Sequence, residues 1–109
     1  MELRTYRTGS GRCPFQTWRD GLDTTARARV TVALERLRGG QFGNLKPVGA
    51  GVLEFRIDFG PGYRIYFGRE GHDPILLLTG GDKRRQQRDI DAAIEFWADY
   101  RRQRRQCRQ

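Results

Sequence analysis

The segment from Gly51 to Gly71, GVLEFRIDFGPGYRIYFGREG, constrains the fold of this chain more than any other stretch. It alternates apolar and polar residues on both sides of a Gly-Pro-Gly sequence. Alternation with a period of two indicates a strand with one buried face, and glycine and proline between two such runs indicate a hairpin. We therefore predict two antiparallel strands that close through a three-residue loop, 60–62, with Phe59 opposite Tyr63.

This register places Arg56 opposite Tyr66 and Asp58 opposite Arg64, and it keeps all polar side chains on one face. The opposite face carries the apolar residues that we expect to form the core, namely Leu53, Phe55, Ile57, Ile65 and Phe67. The polar face carries Glu54, Arg56, Arg64 and Tyr66. Antiparallel sheets commonly have one solvated face, so this polar set is either an ordinary surface or a functional patch.

Helical spacing before and after the hairpin predicts three helices. Pro14 opens the first, and the second runs from a cap at Asp23 or Thr24 to the glycine pair Gly39-Gly40. The third is predicted in RDIDAAIEFWADYRRQRRQ, on the apolar stripe of Ile90, Ala93, Ile94, Trp97 and Ala98.

Further strands are predicted at residues 2–6, at residues 45–48 on a sheet edge, and at 75–78, where a continuous apolar run fits a strand covered on both faces. The predicted order is β-α-α-β-β-β-β-α. Short connections between consecutive strands indicate a small antiparallel sheet in an α+β domain with the helices packed on one face. We expect one domain over residues 1–109, with a basic tail at 102–109 that frays.

The charge of the chain favours a polyanionic partner. Lys and Arg number 21 against 13 Asp and Glu, a formal net charge of +8, and Lys46 and Lys83 are the only lysines. Such a balance in a small protein points to nucleic acid, and arginine offers planar paired donors for phosphate. A solvated arginine-rich surface is the alternative. The loop GGDKRRQQ leaves the 75–78 strand and can fold over the polar face of the hairpin.

Several classes of protein and site are not expected. No apolar stretch approaches the roughly 20 residues of a membrane helix, and MELRTYRTGS lacks the apolar core of a signal peptide. We therefore expect a cytoplasmic protein without a membrane partner. The sequence shows no metal-ligand spacing and no phosphate-binding glycine loop, so we expect neither metal nor cofactor. The single histidine, His72, falls in a predicted turn and offers no partner for acid–base chemistry.

Two long stretches, GNLKPVGAGVLEFRIDFGPGYRIYF and LLLTGGDKRRQQRDIDAAIEFW, resemble the addiction-module killer proteins of the RelE/ParE toxin superfamily, near its HigB-like branch. The earlier TWRDGL and ARARVTVALERLRGGQFGN resemble the opening helices of the same family, so the resemblance covers residues 3–101. It implies a small antiparallel sheet with two N-terminal helices and one C-terminal helix. It also implies a toxin of a bacterial type II toxin–antitoxin system. RelE-like members cleave mRNA on the translating ribosome, whereas ParE-like members poison DNA gyrase.

The resemblance implies where the site lies. Arg56 and Arg64 fall on the two strands that bear arginines in the cleaving members, and the GGDK…Q segment contains Lys83 and Gln86. We expect a catalytic set of Arg56, Arg64, Lys83, Glu54 and Tyr66, and an RNA-binding set of Lys46, Arg84, Arg85 and Gln86. The expected partners are a cognate antitoxin, a helix-turn-helix protein from an adjacent gene, together with the ribosome and mRNA.

RNA supplies its own nucleophile, the 2′-hydroxyl, so the expected reaction is a metal-independent endonucleolytic cleavage. The enzyme must take up a proton, stabilise the phosphorane and protonate the leaving oxygen. Lys83 or Glu54 is the expected proton acceptor, Arg56 and Arg64 are electrostatic clamps, and Tyr66 stacks on a base or donates a proton. Two alternatives remain open: a gyrase-directed toxin that acts by binding, and a basic nucleic-acid-binding module without activity.

Overall fold

A computed structural model describes residues 1–69, 71 and 74–107, with side chains as far as Arg105. The turn predicted around His72 lies outside the described residues. The elements are β1 (Leu3–Thr5), α1 (Pro14–Asp20), α2 (Thr24–Arg38), β2 (Leu45–Gly49), β3 (Val52–Ile57), β4 (Tyr63–Arg69), β5 (Ile75–Gly81), a 3₁₀ turn (Lys83–Arg85) and α3 (Gln86–Cys107). The predicted α+β class and the order β-α-α-β-β-β-β-α are confirmed.

The helix boundaries follow local chemistry. Proline occupies the first position of α1, where a missing N–H costs nothing. The side chain of Asp23 caps α2 by accepting a hydrogen bond of 2.8 Å from the Ala26 N–H. At the other end of α2, the Gly39 N–H donates to the Glu35 carbonyl over 3.0 Å. The predicted limits of the second helix are therefore confirmed.

The five strands form one sheet in the order β1-β5-β4-β3-β2. The pairs from β2 to β5 are antiparallel, as predicted, with β2 and its Pro47 at one edge. At the other edge β1 runs parallel to β5, with Leu3 opposite Ile75. The sheet is therefore mixed. Two helices and three strands lie between β1 and β5 in the chain, and parallel strands need a long connection of this kind.

The predicted register of the central hairpin is wrong by two residues. Arg56 lies opposite Arg64, and Glu54 lies opposite Tyr66, while Ile57 pairs with Tyr63. The connection spans residues 58–62, since the Phe59 ring leaves the strand and stacks on Tyr63 with centroids 6.4 Å apart. A shift of two preserves the face of every side chain, so the predicted apolar core face is correct.

The prediction that all helices cover one face is also wrong, because the sheet is sandwiched between two helical layers. The helices α1 and α2 pack on one face, and α3 packs on the other. The first core contains Phe15, Val30, Ala33, Leu34, Leu37, Phe55, Ile57, Ile65, Phe67, Ile75 and Leu77. The second core contains Tyr6, Val52, Tyr66, Leu76, Leu78, Ala93 and Trp97. The supposed outer face of the hairpin therefore lies largely beneath α3.

The C-terminal helix continues to Cys107, whereas the sequence predicts fraying from residue 102. Side-chain hydrogen bonds stabilise this C-terminal part of α3. The Gln103 amide donates to Asp99 over 2.8 Å and to the Arg7 carbonyl over 3.4 Å. These bonds attach the last turns of α3 to the N-terminal segment. No helix in the described ranges is long and apolar enough to cross a membrane.

Candidate functional site

Three of the predicted catalytic cations line one open cleft beside the turn between β3 and β4. The cleft has a volume of about 600 Å³. Its walls come from the two strand ends, the turn and the 3₁₀ turn that follows β5, and we call it the cationic cleft. Its lining residues are Arg56, Asp58, Phe59, Gly60, Pro61, Gly62, Arg64 and Lys83.

Arg64 is the buried member of this group, with only 6% of its surface exposed. Its Nη1 donates to the Gly62 carbonyl over 2.7 Å, which fixes the guanidinium against the turn. Its Nε lies 3.6 Å from Glu54 Oε1, an ion pair too long to be a hydrogen bond. Among the described residues, the buried Arg64 Nε has no hydrogen-bond partner. The Arg64 guanidinium is thus held in place electrostatically on one side and by the backbone on the other.

A buried network supports Arg64 from beneath the sheet. Glu54 Oε2 accepts hydrogen bonds of 3.0 Å from the Tyr66 hydroxyl and 3.0 Å from the Gln86 amide. We call Glu54, Tyr66, Gln86 and Arg64 the Glu54 network. Burial and the neighbouring Glu54 carboxylate raise the pKa of the Tyr66 phenol well above its ordinary value. Tyr66 therefore remains protonated and acts as a hydrogen-bond donor.

Arg56 is the exposed member. Its Nε pairs with Asp58 Oδ1 at 3.0 Å, and both side chains are more than half exposed. Asn44 extends this pair, since its amide donates to Asp58 over 3.4 Å. Exposed pairs of this kind contribute about 0–1 kcal/mol. The Arg56 guanidinium is consequently available to an incoming anion at little energetic cost.

Lys83 reaches the cationic cleft from the 3₁₀ turn, where its side chain is exposed. Asp82 fixes this turn by accepting a hydrogen bond of 2.9 Å from the Arg84 N–H. The Lys83 N–H also donates to the Pro61 carbonyl over 3.4 Å. These bonds connect the loop after β5 to the β3–β4 turn, which places Lys83 beside the two arginines as the sequence predicts.

The remaining predicted residues do not reach the cationic cleft. Lys46 lies opposite Glu54 on the edge strand β2, and its side chain is exposed there. Arg84 and Arg85 line a separate cavity on the other side of the 3₁₀ turn. Gln86, expected to bind RNA, is half-buried and donates a hydrogen bond to Glu54. The predicted RNA-binding set is therefore spread over three places.

The structure also changes what two of the predicted groups can do. Tyr66 is 0% exposed, so its ring has no face open to a nucleobase, and the stacking role predicted for it is wrong. Glu54 is 4% exposed and carries three partners, which leaves Lys83 as the accessible candidate for proton transfer. Phe59 and Pro61 also line the cleft, although the sequence predicts only a strand end opposite Tyr63 for Phe59 and a loop position for Pro61.

The arrangement is suited to binding an anion. Among the described residues, no group of three or more His, Cys, Asp or Glu side chains is placed to hold a metal ion. The cationic cleft instead offers two guanidinium groups and one ammonium group around a turn, and planar guanidinium donors match the oxygens of phosphate.

The chain is 40% identical over 80 residues to an uncharacterised protein of Haemophilus influenzae, and the alignment spans 72% of this chain and 81% of the Haemophilus protein. The chain belongs to the same family as that protein. No protein-family model matches it.

Proposed function

We propose that this chain is the toxin of a bacterial type II toxin–antitoxin system, of the RelE/ParE superfamily, and that it cleaves mRNA on the ribosome in the cytoplasm. One observation carries the proposal: Arg56, Arg64 and Lys83 come from three elements and line one cleft. The net charge of +8 adds a long-range attraction for RNA. The resemblance of the hairpin and of the GGDK…Q segment to the superfamily supplies the reaction class.

In this proposal the exposed cations contact the substrate directly. Arg56 binds the scissile phosphate beside Lys83, and Arg64 presents its guanidinium from the floor of the cleft. Glu54, Tyr66 and Gln86 are positioning residues, because they hold Arg64 and lie beneath the sheet surface. An arginine that is already fixed needs no reorganisation when charge develops on the phosphate.

The proposed reaction is attack by the RNA 2′-hydroxyl on the adjacent phosphorus. The bond from phosphorus to the 5′-oxygen breaks, which leaves a 2′,3′-cyclic phosphate and a free 5′-hydroxyl. Lys83 is the accessible candidate for proton transfer: as a neutral amine it takes the proton of the 2′-hydroxyl, and the ammonium group so formed returns a proton to the 5′-oxygen. The two arginines stabilise the phosphorane, and orientation of the strand by the ribosome supplies part of the rate.

An antitoxin is part of the same proposal. A free cationic cleft is hazardous in a cell that is rich in RNA, so the partner must neutralise or cover it. An acidic segment of a helix-turn-helix protein, encoded beside this chain, fits that requirement. Co-expression with the neighbouring gene should restore growth and yield a complex on purification. A chain that is harmless alone and binds no neighbouring product contradicts this part.

Inducible expression in bacteria tests the function. We expect growth arrest, new 5′ ends within cellular mRNAs on primer extension, and loss of both with Arg56→Ala. Arg38→Ala is the matched control, because Arg38 is an exposed arginine that lines neither the cationic cleft nor the neighbouring cavity. Plasmid supercoiling measured in the same cells separates the gyrase-directed alternative. Intact mRNA with altered supercoiling contradicts the proposal.

A further inference from the structure

The last turns of α3 carry a second concentration of positive charge, far from the cationic cleft. Four of the five residues from Arg101 to Arg105 are arginines, and no acidic residue follows Asp99 in the sequence. A helix rises about 1.5 Å per residue, so this segment lies roughly 25 Å along α3 from Gln86, which follows the 3₁₀ turn that contains Lys83. The separation exceeds the Debye length of about 8 Å at physiological salt, so salt screens the two cationic regions from each other.

The four arginines lie on the side of α3 that faces away from the rest of the protein. Gln103 marks the inner side, because its amide donates to the Arg7 carbonyl over 3.4 Å and to Asp99 over 2.8 Å. Successive residues of a helix are rotated by about 100°, which places the arginines on an arc of roughly 160° centred opposite Gln103. Three of the four are exposed, and Arg104 is partly buried. We call this arc the arginine surface, and it consists of Arg101, Arg102, Arg104 and Arg105.

The positive charge of the arginine surface exceeds the negative charge beside it in the chain. Arg102 pairs with Asp99 at 3.4 Å, but Asp99 also accepts a hydrogen bond from the Tyr6 hydroxyl. Arg101 and Arg105 lie one turn apart on the same side of α3, and like charges at this spacing destabilise a helix. The end of α3 therefore contains a charge repulsion that an external anion relieves.

The composition of the arginine surface selects the class of partner. A helix that lies on a membrane presents apolar side chains, and the centres of protein interfaces are apolar or aromatic. Grooves for single-stranded nucleic acid offer aromatic rings for stacking. The segment from Arg101 to Arg105 contains no aliphatic or aromatic residue. Its guanidinium groups match phosphate oxygens, which line both sides of each groove of a nucleic-acid duplex.

We propose that the arginine surface binds the phosphate backbone of double-stranded RNA in the ribosome, an inference that rests on the proposed RNA-directed function. Double-stranded RNA is recognised by its shape and its phosphates, which requires charge without stacking groups. Contact at this end of α3 holds the chain on the ribosome, so that entry of mRNA into the cationic cleft becomes an intramolecular step. The arginine surface is thus an anchor and takes no part in bond cleavage.

Binding of a short RNA duplex to the purified full-length chain tests the inference. The double variant Arg101→Gln with Arg105→Gln removes two charges and keeps good helix formers in α3. We expect about tenfold weaker binding, and a slope of log K against log salt that is smaller by about two. The matched control, Arg27→Gln with Arg38→Gln, removes the same charge from exposed positions of α2 and should keep most of the affinity.

The conservative variant Arg101→Lys with Arg105→Lys keeps the charge and should recover most of the affinity for the duplex. Equal losses in the glutamine variant of α3 and in the α2 control would show that net charge alone drives binding, and they overturn the inference. Tighter binding of a single RNA strand or of a DNA duplex than of the RNA duplex also overturns it. The same holds if the glutamine variant of α3 loses affinity only for anionic vesicles or for a polyglutamate peptide.

Cleavage of mRNA on ribosomes separates this inference from the proposed function. The glutamine variant of α3 should need about tenfold more ribosomes for the half-maximal rate, and it should keep the maximal rate because its cationic cleft is intact. Active cleavage with an unchanged ribosome requirement overturns the anchor and leaves the nuclease. A chain that cleaves nothing, but whose duplex binding is lost in the variant, contradicts the nuclease and supports the duplex-binding surface.

Discussion

Arg56 and Arg64 lie directly opposite each other on neighbouring antiparallel strands, yet Arg56 is exposed and Arg64 is buried. Like charges in such a pair destabilise a sheet by a few tenths of a kcal/mol or more. Glu54 offsets the charge of the buried partner, and Asp58 pairs with the exposed one. The two arginines therefore differ in their contribution to stability, although both face the cationic cleft.

Replacement of the exposed arginine should leave the fold intact. Arg56→Ala removes a solvent-exposed ion pair with Asp58, and we expect a change of less than about 0.5 kcal/mol in the free energy of unfolding. Chemical denaturation measures it. A loss of several kcal/mol would show that Arg56 supports the β3–β4 turn and would remove its value as a probe of function.

Replacement of the buried arginine should destabilise the protein. Arg64→Ala leaves the Glu54 carboxylate buried without a counter-charge, and we expect a loss of about 3 kcal/mol. The double variant Glu54→Gln with Arg64→Met removes both charges and should recover most of that loss. Denaturation of the single and double variants gives the coupling energy. If the two losses simply add, the 3.6 Å ion pair is not what stabilises this position.

Stability should fall at alkaline pH through Tyr6. Burial and the hydrogen bond to Asp99 raise the pKa of the Tyr6 phenol from 10.0 to about 12. The full contribution is present below pH 10, where the phenol is protonated in folded and unfolded chains alike. It is lost as pH rises from 10 through 12, since the unfolded chain releases its proton first, and it amounts to roughly 2–3 kcal/mol.

Tyr6→Phe isolates this contribution. The variant should lose about 1 kcal/mol at neutral pH through the missing hydrogen bond, and its stability should depend less steeply on pH between 10 and 12. Tyr66 acts in the same direction, so some dependence remains. An unchanged slope in the variant would mean that Tyr6 titrates alike in both states.

The packing of α3 on the sheet depends on Gly68. An added Cβ on Gly68 would overlap the ring of Trp97, which is only 4% exposed. We expect Gly68→Ala to cost about 1–3 kcal/mol through displacement of the indole. Gly43→Ala is the control, since no atom of the described residues lies within 4 Å of a Cβ added there. Similar melting temperatures for both variants would contradict a close contact between α3 and β4.

The helices and strand faces were predictable because they follow local chemistry. Asp23 and Gly39 delimit α2, and alternation in the hairpin assigned the core face correctly. The faces of the hairpin side chains were predictable, whereas the residues that pair across the two strands were not. The register depends on Phe59, whose ring leaves the strand to stack on Tyr63 and to lie 4.6 Å beneath Arg29, a tertiary effect.

The larger error was the expectation that the polar face of the hairpin is open, whereas α3 covers it. The apolar run in β5 requires helices on both sides of the sheet, and Ile90, Ala93 and Trp97 supply an apolar stripe for the second side. That requirement was visible in the sequence, but the polar residues of the hairpin suggested an open surface. Polar residues can lie under a helix when they satisfy one another, as Glu54, Tyr66 and Gln86 do. Such mutual satisfaction depends on three-dimensional contacts that alternation does not encode.

Among the candidate site residues, Arg56, Arg64 and Lys83 were foreseen together, although the reason for their proximity is the contact between the 3₁₀ turn and Pro61. The separate cavity that Trp18 and Asp89 line together with Arg84 and Arg85 was not foreseen. Trp18 and Asp89 are separated by most of the chain, and each belongs to an amphipathic helix in which its role looks structural. Only the packing of α1 and α3 at the end of β5 brings them together.

The most direct measurement of the central claim is the rate at which the purified chain cleaves labelled mRNA on translating ribosomes, compared between the unmodified chain, Arg56→Ala and Arg38→Ala. Loss of one cation aimed at the developing phosphorane charge should slow cleavage about 100-fold in Arg56→Ala, with unchanged melting and with Arg38→Ala at the unmodified rate. Cleavage by Arg56→Ala at the unmodified rate, or no cleavage by the unmodified chain, would contradict the assignment of the cationic cleft as an RNA-cleaving site.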